Sequence, residues 1–415
     1  MNLLARLGRA GAVVTVATTA ANLLAYLAPL LGARQLAPAD FSALATVLAL
    51  CAVFGVPSQG LQTAVAVRVA RGERMSTTRL GLATAAVTSG VLLLLGPLLV
   101  ANLYLGWNVI VLTAALVFPV VVCGGWLGVL QGQQLFGRLA IGMILLGLAR
   151  FAGIITGILL GQSVAGILLL GVAGSMLGVL PIMLLVPRDE APVPGRIARE
   201  VWACVLAMVA MLVMSYMDVI AARHLLSPVA SAEYAVLSVL TKGAMWAPQV
   251  VTVLALPHLA ARRRHALALA TAAIAVVGAV LVAAATLFSE LALRFAGGAQ
   301  YVHLASYAPM FAVTGAAYAL AFLFINTRIA YGAKYPSWPA WLAVGGFAAA
   351  VLLLPTPSIQ AIVTCAATSA VVCLLICVGT LIWRGKSAKA SACEPASQPP
   401  IYYDVPRSNT DTSLA

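Results

Sequence analysis

Apolar and polar residues alternate along this chain in blocks, not at helix or strand period. Uncharged runs of roughly twenty residues are separated by short polar or charged stretches, and a run of that length crosses a hydrocarbon core about 30 Å thick as an α-helix. The runs cover residues 11 to 32, 42 to 67, 80 to 103, 107 to 130, 139 to 160 and 164 to 186, then 201 to 222, 231 to 256, 266 to 288, 303 to 326, 337 to 354 and 359 to 383. The expected fold is therefore an all-α polytopic membrane protein of about twelve spanning helices. The first run follows Arg6 and Arg9 and exceeds the apolar length of about 7 to 15 residues of a signal peptide, so it reads as a retained span.

Six spans fall on each side of the segment Pro187 to Glu200 (PRDEAPVPGRIARE), whose prolines and mixed charges read as a surface linker. The expected organisation is a bundle over residues 1–186, a linker over 187–200, a second bundle over 201–384 and a tail over 385–415. The tail is rich in Ser, Pro, Lys and Asp and is expected to be disordered.

Composition agrees with the pattern: 63% of residues are hydrophobic and 8% charged, which excludes a water-soluble fold. The net charge of +13 does not point to nucleic acid, because the cations are scattered between apolar runs without a folded basic module. They set topology instead. Counted against the twelve spans, 19 Lys and Arg lie on one side and only Arg34, Arg223 and Arg294 on the other, which places both termini in the cytoplasm. The seven cysteines sit mostly inside apolar runs without metal-type spacing and read as small core residues. Residues Gly379 to Ser387 miss the spacing of a nucleotide-binding loop, and the four histidines form no catalytic or metal pattern. Neither an enzyme nor a cofactor is expected.

The halves resemble each other. Ala33-Arg34-Gln35-Leu36 matches Ala222-Arg223-His224-Leu225, each followed by a proline (Pro38, Pro228), an aromatic (Phe41, Tyr234) and a long apolar helix containing another proline (Pro57, Pro248). Both helices end in basic clusters. An even number of spans separates the copies, so they point the same way through the membrane, as in transporters built from parallel repeats. Matching interruptions in corresponding helices point to a transport site. Here they are Pro57 with Gln59, and Pro248 with Gln249.

Three ionisable residues, Arg150, Asp218 and Lys242, fall inside spans, where a charge costs at least about 2.5 to 3.5 kcal/mol. Arg150 and Lys242 fall near the midplane, and Arg150 is in register with Gly153, Gly157 and Gly161, a small-residue stripe that turns it toward protein. Both are candidate cavity residues. Asp218 lies nearer the outer surface and is a candidate coupling or gate residue, or a structural acid.

Across Leu31-Gly32-Ala33-Arg34-Gln35-Leu36-Ala37-Pro38-Ala39-Asp40-Phe41 and Met217-Asp218-Val219-Ile220-Ala221-Ala222-Arg223-His224-Leu225-Leu226-Ser227-Pro228, the sequence resembles bacterial oligosaccharide flippases. These polysaccharide-biosynthesis proteins belong to the superfamily of multidrug and toxin extruders (MATE-like). Ser42 stands where the family usually has Gly, and many members have fourteen spans. The resemblance implies two six-helix bundles around a central cavity in the bacterial inner membrane. It implies a polyprenyl-diphosphate-linked oligosaccharide as substrate, a monomer, and a polysaccharide polymerase or glycosyltransferase as candidate partners. Midplane cations suit a diphosphate. The competing readings are an ion-coupled multidrug extruder, which would want midplane acids, and a non-transporting scaffold.

Overall fold

Hydrocarbon offers no water to bond backbone N–H and C=O groups, so so apolar a chain closes its hydrogen bonds within helices. The computed structural model describes residues 27–28, 31–32, 34–73, 76–103, 105–187, 197–263, 265–296 and 298–392. Among the described residues it is helical nearly throughout, with no strand.

The first set of helices comprises α1 (Pro38–Ala70), α2 (Thr77–Leu94), α3 (Gly96–Leu103), α4 (Trp107–Gly132), α5 (Phe136–Leu159) and α6 (Val164–Leu185). The second comprises α7 (Ile197–Leu225), α8 (Pro228–Trp246), α9 (Gln249–Ala260), α10 (Ala266–Leu287), α11 (Ser289–Ala296), a 3₁₀ helix (Ala299–Tyr307), α12 (Ala308–Ala330), α13 (Trp338–Leu352) and α14 (Ile359–Ala392). Among the described residues ten helices are long and apolar enough to cross a membrane, with α8 joined to α9 and the 3₁₀ helix joined to α12; α13 is a shorter apolar helix. Most of the first expected span, 11 to 32, lies outside the described residues, as does most of the expected linker.

Several details differ from the sequence reading, among them the expected span 80 to 103, which divides into α2 and α3. The segment expected to be linker as far as Glu200 is already helical from Ile197, because its last residues continue the first turn of α7. The last span does not stop at Trp383: α14 runs on to Ala392, through lysine, serine and alanine compatible with a helix beyond the membrane. The rest of the expected tail is outside the described residues. Gly161 is not part of the small-residue stripe but turns the chain after α5, with φ +62°.

Within the first set, α4 is the central helix, packed against α1, α2 and α6, while α5 lies along α6. Gly153 and Gly157 make that last contact possible, since a Cβ at either would collide with the backbone of Leu170 or Ile167. The core here is apolar and dense, built from residues such as Leu44, Val47, Cys51, Leu116, Val121, Phe151 and Ile154. Within the second set α12 takes the central place, against α8 and α10. The Thr241 hydroxyl of α8 donates to the Phe311 carbonyl of α12 at 2.9 Å. Among the described residues the six cysteines are free thiols; Cys51, Cys123, Cys204, Cys373 and Cys377 are buried and Cys365 partly so, consistent with small core residues.

Candidate functional site

The two sets meet through α1 and α7. At Gly60 a Cβ would come within 2.8 Å of the Val205 backbone, so glycine alone allows the helices to approach this closely. From there toward the cation-rich end, side chains tie the sets together. Arg68 donates from Nε and Nη2 to both carboxylate oxygens of Glu200, at 2.7 and 2.8 Å, and from Nη1 to Glu73 at 2.8 Å. Arg71 donates to the Ala330 carbonyl at 2.6 Å. The Gln62 amide donates to Gln131 at 2.9 Å, and Gln131 donates to the Val253 carbonyl at 3.0 Å. A small apolar cluster around Leu127, Leu130 and Leu139 reaches across to Val250, Val253 and Leu254.

Toward the far end the facing surfaces separate. Tyr216 follows Val205 by three helical turns and Val53 precedes Gly60 by two, so at about 3.6 residues per turn each lies on the face its helix turns toward the other set. Yet Val53 is 54% exposed and Tyr216 40% exposed. By this register the facing surfaces are joined at the cation-rich end and apart at the other, and we infer a cleft between them whose walls carry these residues.

Lys242 reaches this wall. Its Nζ sits 4.1 Å from the Tyr216 ring centroid, a cation–π contact that holds the ammonium beside the cleft. Asp218, two residues and about half a turn further along α7, acts on Lys242 through its field without forming a contact ion pair. Its own carboxylate is 2% exposed, and it accepts from the Tyr234 hydroxyl at 3.0 Å and the Val219 amide at 2.8 Å. Tyr234 is fully buried with its ring edge-on to Phe311, centroids 5.0 Å apart. Nearby, the buried Tyr318 hydroxyl approaches Ser369 but makes no well-formed hydrogen bond among the described residues.

Arg150 lies elsewhere. Its guanidinium is 5.0 Å from the Phe151 ring and faces the buried Cys51 thiol, while its Nε is buried with no hydrogen-bond partner among the described residues. Cys51 precedes Gly60 by nine residues, half a turn out of phase, so it lies on the face of α1 turned away from the second set. In this conformation α1 therefore stands between Arg150 and Lys242, and the two cations do not share one site.

The paired prolines also part company. α1 runs unbroken through Pro57, whereas the second-set helix ends at Trp246 and restarts at Gln249, with Ala247 and Pro248 between. Pro57 is half-buried and its neighbour Ser58 donates to the Val120 carbonyl at 2.9 Å, which ties α1 to α4 at this point. A small cavity opens at the second-set break, lined by Pro248, Gln249, Thr252, Phe322 and Asn326. The sequence reading missed Tyr216, Gln131, Thr252 and Asn326, and marked Tyr234 only as a match between the halves. For Tyr216 and Asn326 a signal existed, since each is a polar group embedded in an apolar run.

No group of three or more metal-type ligands occurs among the described residues. No family model matches the chain, and no curated protein does. Solved structures do match over nearly the whole length. A MATE protein in complex with MaL6 shares 14% identity over 93% of this chain and 96% of its own, with a TM-score of 0.72. A multidrug resistance MATE family transporter of the MOP superfamily in an outward-facing conformation shares 15% over 92% and 95%, with a TM-score of 0.68. A MOP superfamily transporter from Pyrococcus furiosus, whose binding pocket of reversed polarity suggests a different function, shares 15% over 92% and 95%, with a TM-score of 0.72. At such identities the likeness is one of fold, and this chain has the MATE-like fold.

Proposed function

We propose that this chain is a membrane transporter that works by alternating access, and that it moves a lipid-linked anion, a polyprenyl-diphosphate-linked oligosaccharide used in cell-envelope polysaccharide biosynthesis. In this reading the cation-rich end faces the cytoplasm of a bacterium, and the cleft is open to the outside. The observation that carries it is Lys242, whose ammonium is held over Tyr216 at the cleft wall without a contact counter-ion among the described residues. An ammonium placed there attracts a diphosphate and repels a cationic drug. The P. furiosus neighbour supplies a precedent for a pocket of reversed polarity on this fold.

A second reading, an ion-coupled extruder of cationic compounds, draws on Asp218, an acid buried in the second set and bonded to Tyr234. Proteoliposomes separate the two. The proposal expects translocation of a fluorescent polyprenyl-diphosphate saccharide and no efflux of a cationic dye; dye efflux driven by an ion gradient, without lipid translocation, overturns it.

A further inference from the structure

At the far end of the second set, the chain between α10 and α12 does not form a simple loop. Phe288 leaves the helical run with φ −121° and ψ 33°, α11 restarts at Ser289, and Gly298 turns the chain again at φ +103°, a conformation suited to glycine. The amide of Ala292 donates to the Phe288 carbonyl at 2.9 Å, so Phe288 belongs to the first turn of this short helix.

At about 100° per residue, its side chains sort into three sectors. Phe288, Leu291 and Phe295 share one sector and are all exposed, Phe295 to 85%. Leu293 is 0% exposed and pins the helix to the protein. Glu290 and Arg294, one turn apart, occupy the remaining sector, and both are exposed. An exposed apolar sector with two phenylalanines would be costly in water.

The apolar sector follows directly on another. Along α10, Val276, Val280 and Leu287 fall on one exposed face of a membrane-spanning helix, the face such a helix turns to lipid. That strip leads in sequence into Phe288, and the chain bends where the span reaches its end. Aromatic and aliphatic groups on one side of a short helix, with an acid and a base on another, match a helix lying in the interfacial plane.

We propose that α11 is an interfacial anchor that inserts Phe288, Leu291 and Phe295 among the acyl chains at the far surface and keeps Glu290 and Arg294 at headgroup level. Its partner is the lipid leaflet, not a second protein. Because Leu293 joins it to the second set, the anchor fixes the depth of that set in the leaflet.

Collision accessibility of nitroxide labels tests this. In the full-length chain with native cysteines replaced, single cysteines at positions 288, 290, 291, 294 and 295 are labelled after reconstitution in phosphatidylethanolamine and phosphatidylglycerol vesicles. Labels at 288, 291 and 295 should favour oxygen over a water-soluble nickel chelate several-fold, and labels at 290 and 294 should show the reverse. Equal nickel accessibility at all five overturns the proposal, and so does shielding of 288, 291 and 295 from both reagents, the signature of a covering protein. If Phe295→Cys does not accumulate, quenching of a label at Leu291→Cys by brominated lipid decides the same question, with no quenching as the negative result.

Discussion

Among the described residues each set of helices carries a cation near the middle of a span, Arg150 in the first and Lys242 in the second, and the two are housed in opposite ways. Arg150 lies inside the first set, on the side of α1 away from the cleft, with a buried Nε lacking a partner among the described residues. Lys242 lies at the cleft wall of the second set, stacked on Tyr216 and within the field of Asp218, itself bonded to Tyr234. A charge in a spanning helix is costly wherever it sits. What differs is what offsets the cost: for Lys242 an aromatic face, a nearby acid and access to the cleft, for Arg150 an aromatic ring and a thiol. In the function proposed above substrate contact falls to Lys242, while Arg150 packs in the first-set interior.

The largest expected effect follows. Lys242→Gln removes the charge while keeping length and polarity, and the loss of one charge-assisted hydrogen bond, about 1.5 to 3 kcal/mol, corresponds to roughly a tenfold or greater fall in translocation of the diphosphate lipid. Initial rates in proteoliposomes measure it. An unchanged rate would remove Lys242 from the site and dissolve the contrast with Arg150.

Arg150→Met turns the comparison round. Replacing buried ionic groups by apolar ones of similar volume is often neutral or stabilising by about 1 to 4 kcal/mol, so this variant should unfold at an equal or higher temperature in detergent while retaining translocation. A Lys242→Met protein should gain no transport. If Arg150→Met loses translocation with its thermal stability intact, Arg150 serves the substrate after all, by way of a conformation in which α1 no longer separates it from the cleft.

The architecture was legible because the solvent dictates it: a run of about twenty uncharged residues can do little in hydrocarbon except form a helix. Pro248 as a break and Cys51 as a core residue were legible for the same local reasons. The behaviour of Pro57 was not. A proline marks a lost hydrogen bond, but whether the helix opens there depends on neighbours, and at Pro57 the bond from Ser58 to Val120 and the close pass of α4 hold α1 together. Nor could spacing along the chain show that Arg150 and Lys242, at similar depth, lie on opposite sides of α1. Depth is a one-dimensional property and can be counted; which face of a third helix each cation meets depends on packing between segments far apart in sequence. The same applies to the Gln62, Gln131 and Val253 chain, whose members gave no signal singly.

A smaller effect is expected at the seal. Glu200→Gln weakens the fork from Arg68 without stranding it, because Glu73 remains bonded to the same guanidinium. The Glu200 side chain is 45% exposed, so the loss is about 1 kcal/mol, a shift of roughly fivefold in favour of the state closed at the far end. A cysteine at Val53, in a chain without native cysteines, reports it through labelling by a membrane-impermeant thiol reagent added at the far side. Labelling should slow in the Glu200→Gln background. Identical labelling rates would mean that the apolar contacts around Gly60 and Leu130 hold the seal without the ion pair.

The smallest expected effect concerns Tyr216 and refines the description of the Lys242 site. A cation over an aromatic ring at a partly exposed position contributes about 0.5 to 1 kcal/mol, and the ring face supplies the attraction. Tyr216→Phe should therefore leave translocation close to the parental rate, whereas Tyr216→Leu, of similar apolar bulk but without a π face, should slow it by roughly two- to fivefold through a less well-placed ammonium. The two variants are measured against Lys242→Gln, in whose background Tyr216→Leu should add nothing further, since the cation that the ring positions is gone. Equal rates for Phe and Leu would show that the ring only fills space, and that Asp218 rather than Tyr216 positions the lysine.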